Sequence, residues 1–94
     1  MAPVKYRYAA AETFWDDFYS LSSAEKESAR KAWQIFKLDL FDPRLRSHKI
    51  HRLSAVFGKT IYAVVIEGDL DSLFYIEGDT VWSVRIGTHD LYKA

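Results

Sequence analysis

Up to Pro43 the apolar residues recur at helical spacing; beyond it they tend to recur at every second position. Ala11, Phe14, Trp15, Phe18 and Leu21 form one stripe, with Glu12, Asp16 and Asp17 off it, which predicts a helix over 9–20. Val4 to Tyr8 alternates weakly and reads as a short strand before that helix. A second helix is predicted over 22–38, carried by Ala29, Trp33, Phe36 and Leu40, with Ala32 and Ile35 widening the stripe. Its start is marked by Ser22-Ser23-Ala24-Glu25. This is a capping box, in which each end side chain satisfies a backbone N–H of the other residue. Glu27 and Lys31 stand four apart and can pair. Asp42-Pro43 closes the helical region, because proline disfavours a helical residue before it.

Strands rich in Val, Ile, Tyr, Phe and Trp are predicted over 49–57, 60–66, 70–76 and 80–86. Turn signals fall between them at Gly58-Lys59, Glu67-Gly68-Asp69 and Glu77-Gly78-Asp79. The tetrapeptide Ile-Glu-Gly-Asp occurs at both 66–69 and 76–79, read as two similar hairpins in which glycine supplies a positive φ. Segment 60–66 is apolar on both faces and is placed centrally. Trp82, Val84 and Ile86 are expected on one face of the last strand, with Val81, Ser83 and Arg85 on the other. The predicted architecture is a single α+β domain over residues 1–94. Its two N-terminal helices pack on one face of a mainly antiparallel four- to five-stranded sheet, and the second face is left for a partner or substrate.

Composition adds limits. At 94 residues the chain is one domain, and its 49% hydrophobic and 16% aromatic content can build a core. The absence of cysteine excludes a disulfide scaffold, thiolate catalysis and cysteine-ligated metal. No apolar run approaches the ~20 residues of a membrane helix, and the N-terminus has no apolar signal segment, so a cytoplasmic location is expected. The net charge is zero, but it is unevenly spread. Between Pro43 and Ile66 stand Arg44, Arg46, Lys49, Arg52 and Lys59 with no acid, leaving an acidic remainder. Such a segment can orient an anionic partner. A strand edge guarded by cations has the same composition.

His48, His51 and His89 all lie in the strand-rich half. A His-x-x-His pair on a strand points both ways, so no metal site is expected, and no cofactor. A lone histidine is most often a surface or hydrogen-bonded residue. Here the three are accompanied by Arg44, Arg46, Lys49, Arg52 and Arg85 and by Tyr62, Tyr75 and Tyr92. Cations that neutralise phosphate, imidazoles that move protons and rings that stack on bases are what RNA cleavage requires. Phosphate-binding glycine loops, nucleophile elbows and kinase motifs are absent.

The layout then resembles a known family. The second helix, Asp42-Pro43-Arg44-Leu45, His48-Lys49-Ile50-His51-Arg52-Leu53, the hairpins and the ending Ile86-Gly87-Thr88-His89-Asp90-Leu91-Tyr92 together resemble the RelE/ParE superfamily of toxins from type II toxin–antitoxin systems. The ending is most similar to the YafQ-like and RelE-like branches. That resemblance implies a toxin that cuts mRNA on the ribosome without a metal or cofactor, and a cognate antitoxin as partner. It implies catalytic roles for His89, for His51 opening a His-x-Leu segment, for Asp69 and for Tyr92. Arg46, His48, Lys49, Arg52 and Arg85 become candidates for substrate binding. The sequence departs from the family pattern at Val65, where one branch has histidine, and at Asp71, where many relatives carry arginine. Two alternatives within the resemblance are a ParE-like toxin that binds DNA gyrase without chemistry, and a silent member that only binds its antitoxin.

Overall fold

The computed structural model describes residues 5–92. Strand β1 (Arg7–Ala10) leads into helices α1 (Glu12–Tyr19) and α2 (Ser23–Leu38). A 3-10 turn (Pro43–Leu45), strand β2 (His48–Lys49) and helix α3 (His51–Phe57) follow. Strands β3 (Tyr62–Glu67), β4 (Leu70–Glu77) and β5 (Thr80–Gly87) form a meander, and a C-terminal 3-10 turn (His89–Tyr92) ends the described chain. The sheet order is β1-β5-β4-β3-β2. Only β1 runs parallel to its neighbour, β5; the other pairings are antiparallel. The α+β class, the two N-terminal helices and the mainly antiparallel sheet are as predicted. Among the described residues no helix is long and apolar enough to cross a membrane.

Local chemistry explains much of this. The Ser22 hydroxyl accepts from the Glu25 N–H at 3.1 Å, and the Glu25 carboxylate accepts from the Ser22 N–H at 2.9 Å, completing the capping box. Glu27 pairs with Arg30 at 3.7 Å rather than with Lys31. Gly68 and Gly78 take positive φ (55° and 62°) in the two hairpin turns. The first strand falls later than expected. Val4 lies outside the described residues, and Ala9 and Ala10, good helix formers, instead pair with Trp82 and Ser83. The sheet contacts override their propensity.

The largest correction concerns residues 49–57. They form two residues of edge strand and then α3, not a continuous strand. Leu53, Val56 and Phe57 stand at i, i+3 and i+4, a helical spacing. The Ser54 N–H donates to the Ile50 carbonyl, and Gly58, left-handed at φ 67°, stops the helix. A second correction concerns β5. Leu73 pairs with Arg85 but Phe74 with Ser83, so a bulge interrupts the alternation at Val84. Trp82, stacked on Tyr75, and Val84 share one face, whereas Ile86 turns to the other.

The core has two sides. Facing α1 and α2, Phe36, Leu40, Leu45, Val64, Phe74 and Val81 form one buried cluster, and Ala29, Leu70 and Ile86 another. On the opposite face Leu53, Ile61, Ala63 and Leu73 are buried beneath α3 and the C-terminal turn. The second face is therefore partly covered, not left open.

Candidate functional site

After β5 ends at Gly87, the chain folds back over the α3 face. Gly87 permits this approach, since Leu91 Cδ2 lies 3.3 Å from where a Cβ would stand. The Leu91 N–H donates to the Thr88 carbonyl at 3.0 Å, which tightens the turn. Leu91 and Tyr92 pack against the cluster of Leu53, Ile61, Ala63 and Leu73. This sets His89 and Tyr92 side by side, their ring centroids 5.5 Å apart.

Both rings address Asp71. It lies on β4 between Val65 of β3 and Gly87 of β5, and is 2% exposed. It is the one buried charged residue among those described. The Tyr92 hydroxyl donates to Asp71 Oδ2, and His89 Nε2 lies 3.5 Å from that same oxygen. Asp71 Oδ1 has no hydrogen-bond partner among the described residues. Burial, followed by the bond to Asp71 and the carboxylate's charge, pushes the Tyr92 phenol well above its usual range. The His89 side chain remains 64% exposed, so the ring lies beside an inner carboxylate and stays open to solvent.

The other sequence candidates lie elsewhere. Asp69 is exposed in the β3–β4 turn, two residues before Asp71. His48 and Lys49 form the edge strand β2, paired with Ala63 and Tyr62. His48 Nδ1 is 2.7 Å from the Arg46 carbonyl, and Arg46 is itself left-handed at φ 50°. His51 and Arg52 begin α3 and are exposed. The β2 register runs toward the Ile61 end of β3, whereas Asp71 pairs at its Val65 end. His51 and His89 therefore belong to elements on the same face but enter from opposite ends of the sheet, rather than from one rim.

The cations also differ. Arg85 is held by Asp17 through Nε at 2.6 Å and a second nitrogen at 3.1 Å. That bond raises the Arg85 pKa further and fastens α1 to β5. Arg44 pairs with Asp42, whose carboxyl this guanidinium lowers to about 2, and Lys59 pairs with Glu77 at 2.8 Å. Arg46, Lys49 and Arg52 form no ion pair among the described residues, and they surround β2. No cluster of three or more His, Cys, Asp or Glu that could hold a metal occurs among the described residues. Sequence reasoning marked Asp71 only as a departure from a family pattern. Its burial was hidden because a single acid in a strand carries no periodic signal.

The chain has the fold of the RelE and YoeB structures. The chain is similar in structure to RelE in an archaeal RelE–RelB complex from Pyrococcus horikoshii, with TM-score 0.68 and 11% identity over 89% of this chain and 94% of that one. It is similar to a YoeB dimer structure from Staphylococcus aureus, with TM-score 0.64 and 11% identity over 90% and 98%. A copper-bound mutant toxin from Helicobacter pylori gives TM-score 0.60 and 16% identity over 92% and 97%. No protein-family model matches the chain, and no curated protein matches it. Identities this low establish the fold alone.

Proposed function

We propose that this chain is the toxin of a type II toxin–antitoxin pair, and that it is a metal-independent endoribonuclease cutting mRNA on the ribosome and so inhibiting translation in the cytoplasm. The observation that carries the chemistry is the exposed His89 ring set against the buried Asp71 carboxylate beside Tyr92. Fold likeness to RelE and YoeB supplies the class, and the site supplies the reaction.

In this reading the imidazole turns Nε2 toward Asp71, which as a carboxylate only accepts, and presents Nδ1 to the RNA. Nδ1 takes the proton of a ribose 2′-OH while that oxygen attacks the adjacent phosphorus. The P–O5′ bond breaks, and the imidazolium returns its proton to the departing 5′ oxygen. The products are a 2′,3′-cyclic phosphate and a 5′-hydroxyl. His51, named with His89 as the paired acid–base residue, begins α3 and is exposed. Arg46, His48, Lys49 and Arg52, on or beside β2, hold the RNA backbone in this reading, and Asp69 stands exposed in the β3–β4 turn. The same three cations and the open edge of β2 suit an acidic antitoxin segment, whose binding weakens with salt.

In a purified translation system His89→Ala should slow cleavage by about 10²–10⁴ and leave the melting temperature nearly unchanged. Equal cleavage by the two proteins would sink the reading. Toxicity that survives removal of all three histidines would mark instead a non-enzymatic toxin such as a gyrase binder.

A further inference from the structure

We infer that Asp71 is a positioning residue, which fixes the C-terminal turn so that His89 presents one defined nitrogen to substrate. The inference rests on the endoribonuclease reading for its consequence, but its geometric half stands alone.

A carboxylate at 2% exposure is expensive to bury unless its oxygens are paired. Among the described residues one oxygen has no hydrogen-bond partner, and the other is shared by two groups from the same short turn. No lysine or arginine neutralises it among the described ion pairs. A leucine at this position would pack against the apolar α3 face at less cost. The arrangement makes sense if the acceptor directs other groups. The Tyr92 hydroxyl anchors the far end of the turn, and His89 at its near end is brought to the same oxygen. A four-residue turn with both ends tied to one atom has little freedom left, and its own Leu91–Thr88 hydrogen bond removes more. Orientation of a general base by a carboxylate that accepts from its other nitrogen is an established catalytic device. Leu53 and Leu73 beneath the turn keep the backing apolar, so the Asp71 oxygen is the polar feature against which the two rings can register.

Two measurements test this, one without RNA. In two-dimensional NMR of the whole chain, His89–Tyr92 ring cross-peaks should be present in the wild type and in Asp71→Asn, whose amide oxygen still accepts from Tyr92. They should vanish in Asp71→Leu. Cross-peaks of full intensity in Asp71→Leu overturn the inference, whatever the protein does to RNA. In the cleavage assay Asp71→Asn, which keeps the acceptor, should retain most of the activity, whereas Asp71→Leu should lower kcat by about tenfold or more with KM unchanged. In a His89→Ala background the same change should cost nothing further, because Asp71 acts through His89. Wild-type kcat in Asp71→Leu, while His89→Ala is inactive, overturns the inference and leaves the nuclease reading standing. An equal further loss in the His89→Ala background assigns Asp71 a purely structural role and overturns it too. If His89→Ala cleaves normally, the nuclease reading fails and the NMR result alone decides the placement of the turn.

Discussion

On one face of the sheet, two helices cover a large aromatic core; on the other, one short helix and one 3-10 turn cover a small core with a carboxylate inside it. Phe36 meets Phe74 edge-on at 4.9 Å, and Phe74 stacks on Tyr62 at 5.1 Å, so the helix face is held by ring packing. Yet α1 has no fully buried residue, and a groove of about 730 Å³ lies between the helices and the sheet, lined in part by Phe14, Trp15, Phe18 and Trp33. The α3 face has less apolar cover: Leu53 alone of α3 is buried, while Val56 and Phe57 are 62% and 55% exposed. The difference separates two tasks. The helix face supplies stability through area, and the α3 face gives up some of it to hold a polar site in register.

The largest effects should fall on the helix face. Phe74→Ala removes the ring that joins α2 to β4 and should cost about 3–5 kcal/mol in urea unfolding. Leu53→Ala should cost less, toward the low end of about 2–5 kcal/mol, because a seven-residue helix can settle into the gap. Equal losses would break the comparison, since the α3 face would then be as rigid as the helix face.

Much of this contrast was readable in the chain, and the unread part has physical causes. The Ser22–Glu25 box located α2, and the paired Ile-Glu-Gly-Asp segments located both hairpins, because capping and positive φ are local demands. Residues 51–57 were misread because apolar and polar residues intermix there in a way that also suits a strand. Gly58, read as a hairpin turn, is a helix stop. The bulge at Val84 and the parallel β1–β5 pairing depend on partners far along the chain, which no local pattern records. In the candidate site, His89 and Tyr92 stand out through the family-like ending. Asp71 does not, since its burial depends on a turn that returns to it from 18 residues away, at His89.

A smaller effect joins the two halves of the fold. Asp17 of α1 binds Arg85 through two bonds and also accepts from the Ile86 N–H at 3.1 Å. Asp17→Ala leaves that N–H unpaired and frees the guanidinium, and should cost about 2–3 kcal/mol. It should leave cleavage per folded molecule unchanged if Arg85 is a structural cation. A marked change in KM for RNA would show that Arg85 also meets substrate.

The smallest effect compares one tyrosine on each face. Tyr8 donates to the Lys37 carbonyl at 3.1 Å and ties β1 to the end of α2; Tyr92 donates to Asp71 and ties the C-terminal turn to β4. Burial is the first cause that raises both phenols, followed by Tyr6 and Asp39 at Tyr8, and by Asp71 at Tyr92. Each Phe variant should lose about 0.5–2 kcal/mol at neutral pH, with Tyr92→Phe the larger because it strips a buried carboxylate of its donor. The pH sign follows from the raised pKa. A group titrating higher in the folded state stabilises it fully below its unfolded value, about pH 10 for tyrosine, and that contribution is lost as pH rises through the folded value. The gap between wild type and Tyr92→Phe should therefore be constant up to about pH 9 and narrow above about pH 10. The gap for Tyr8→Phe should narrow less, because Tyr8 bonds to neutral carbonyls and feels the Asp39 charge only through space, while Tyr92 bonds directly to a carboxylate. Urea midpoints at two alkaline pH values measure both. A Tyr92→Phe gap that stays open above that range would mean that the phenol is not held against the Asp71 charge, and the polar register of the α3 face would lose its anchor.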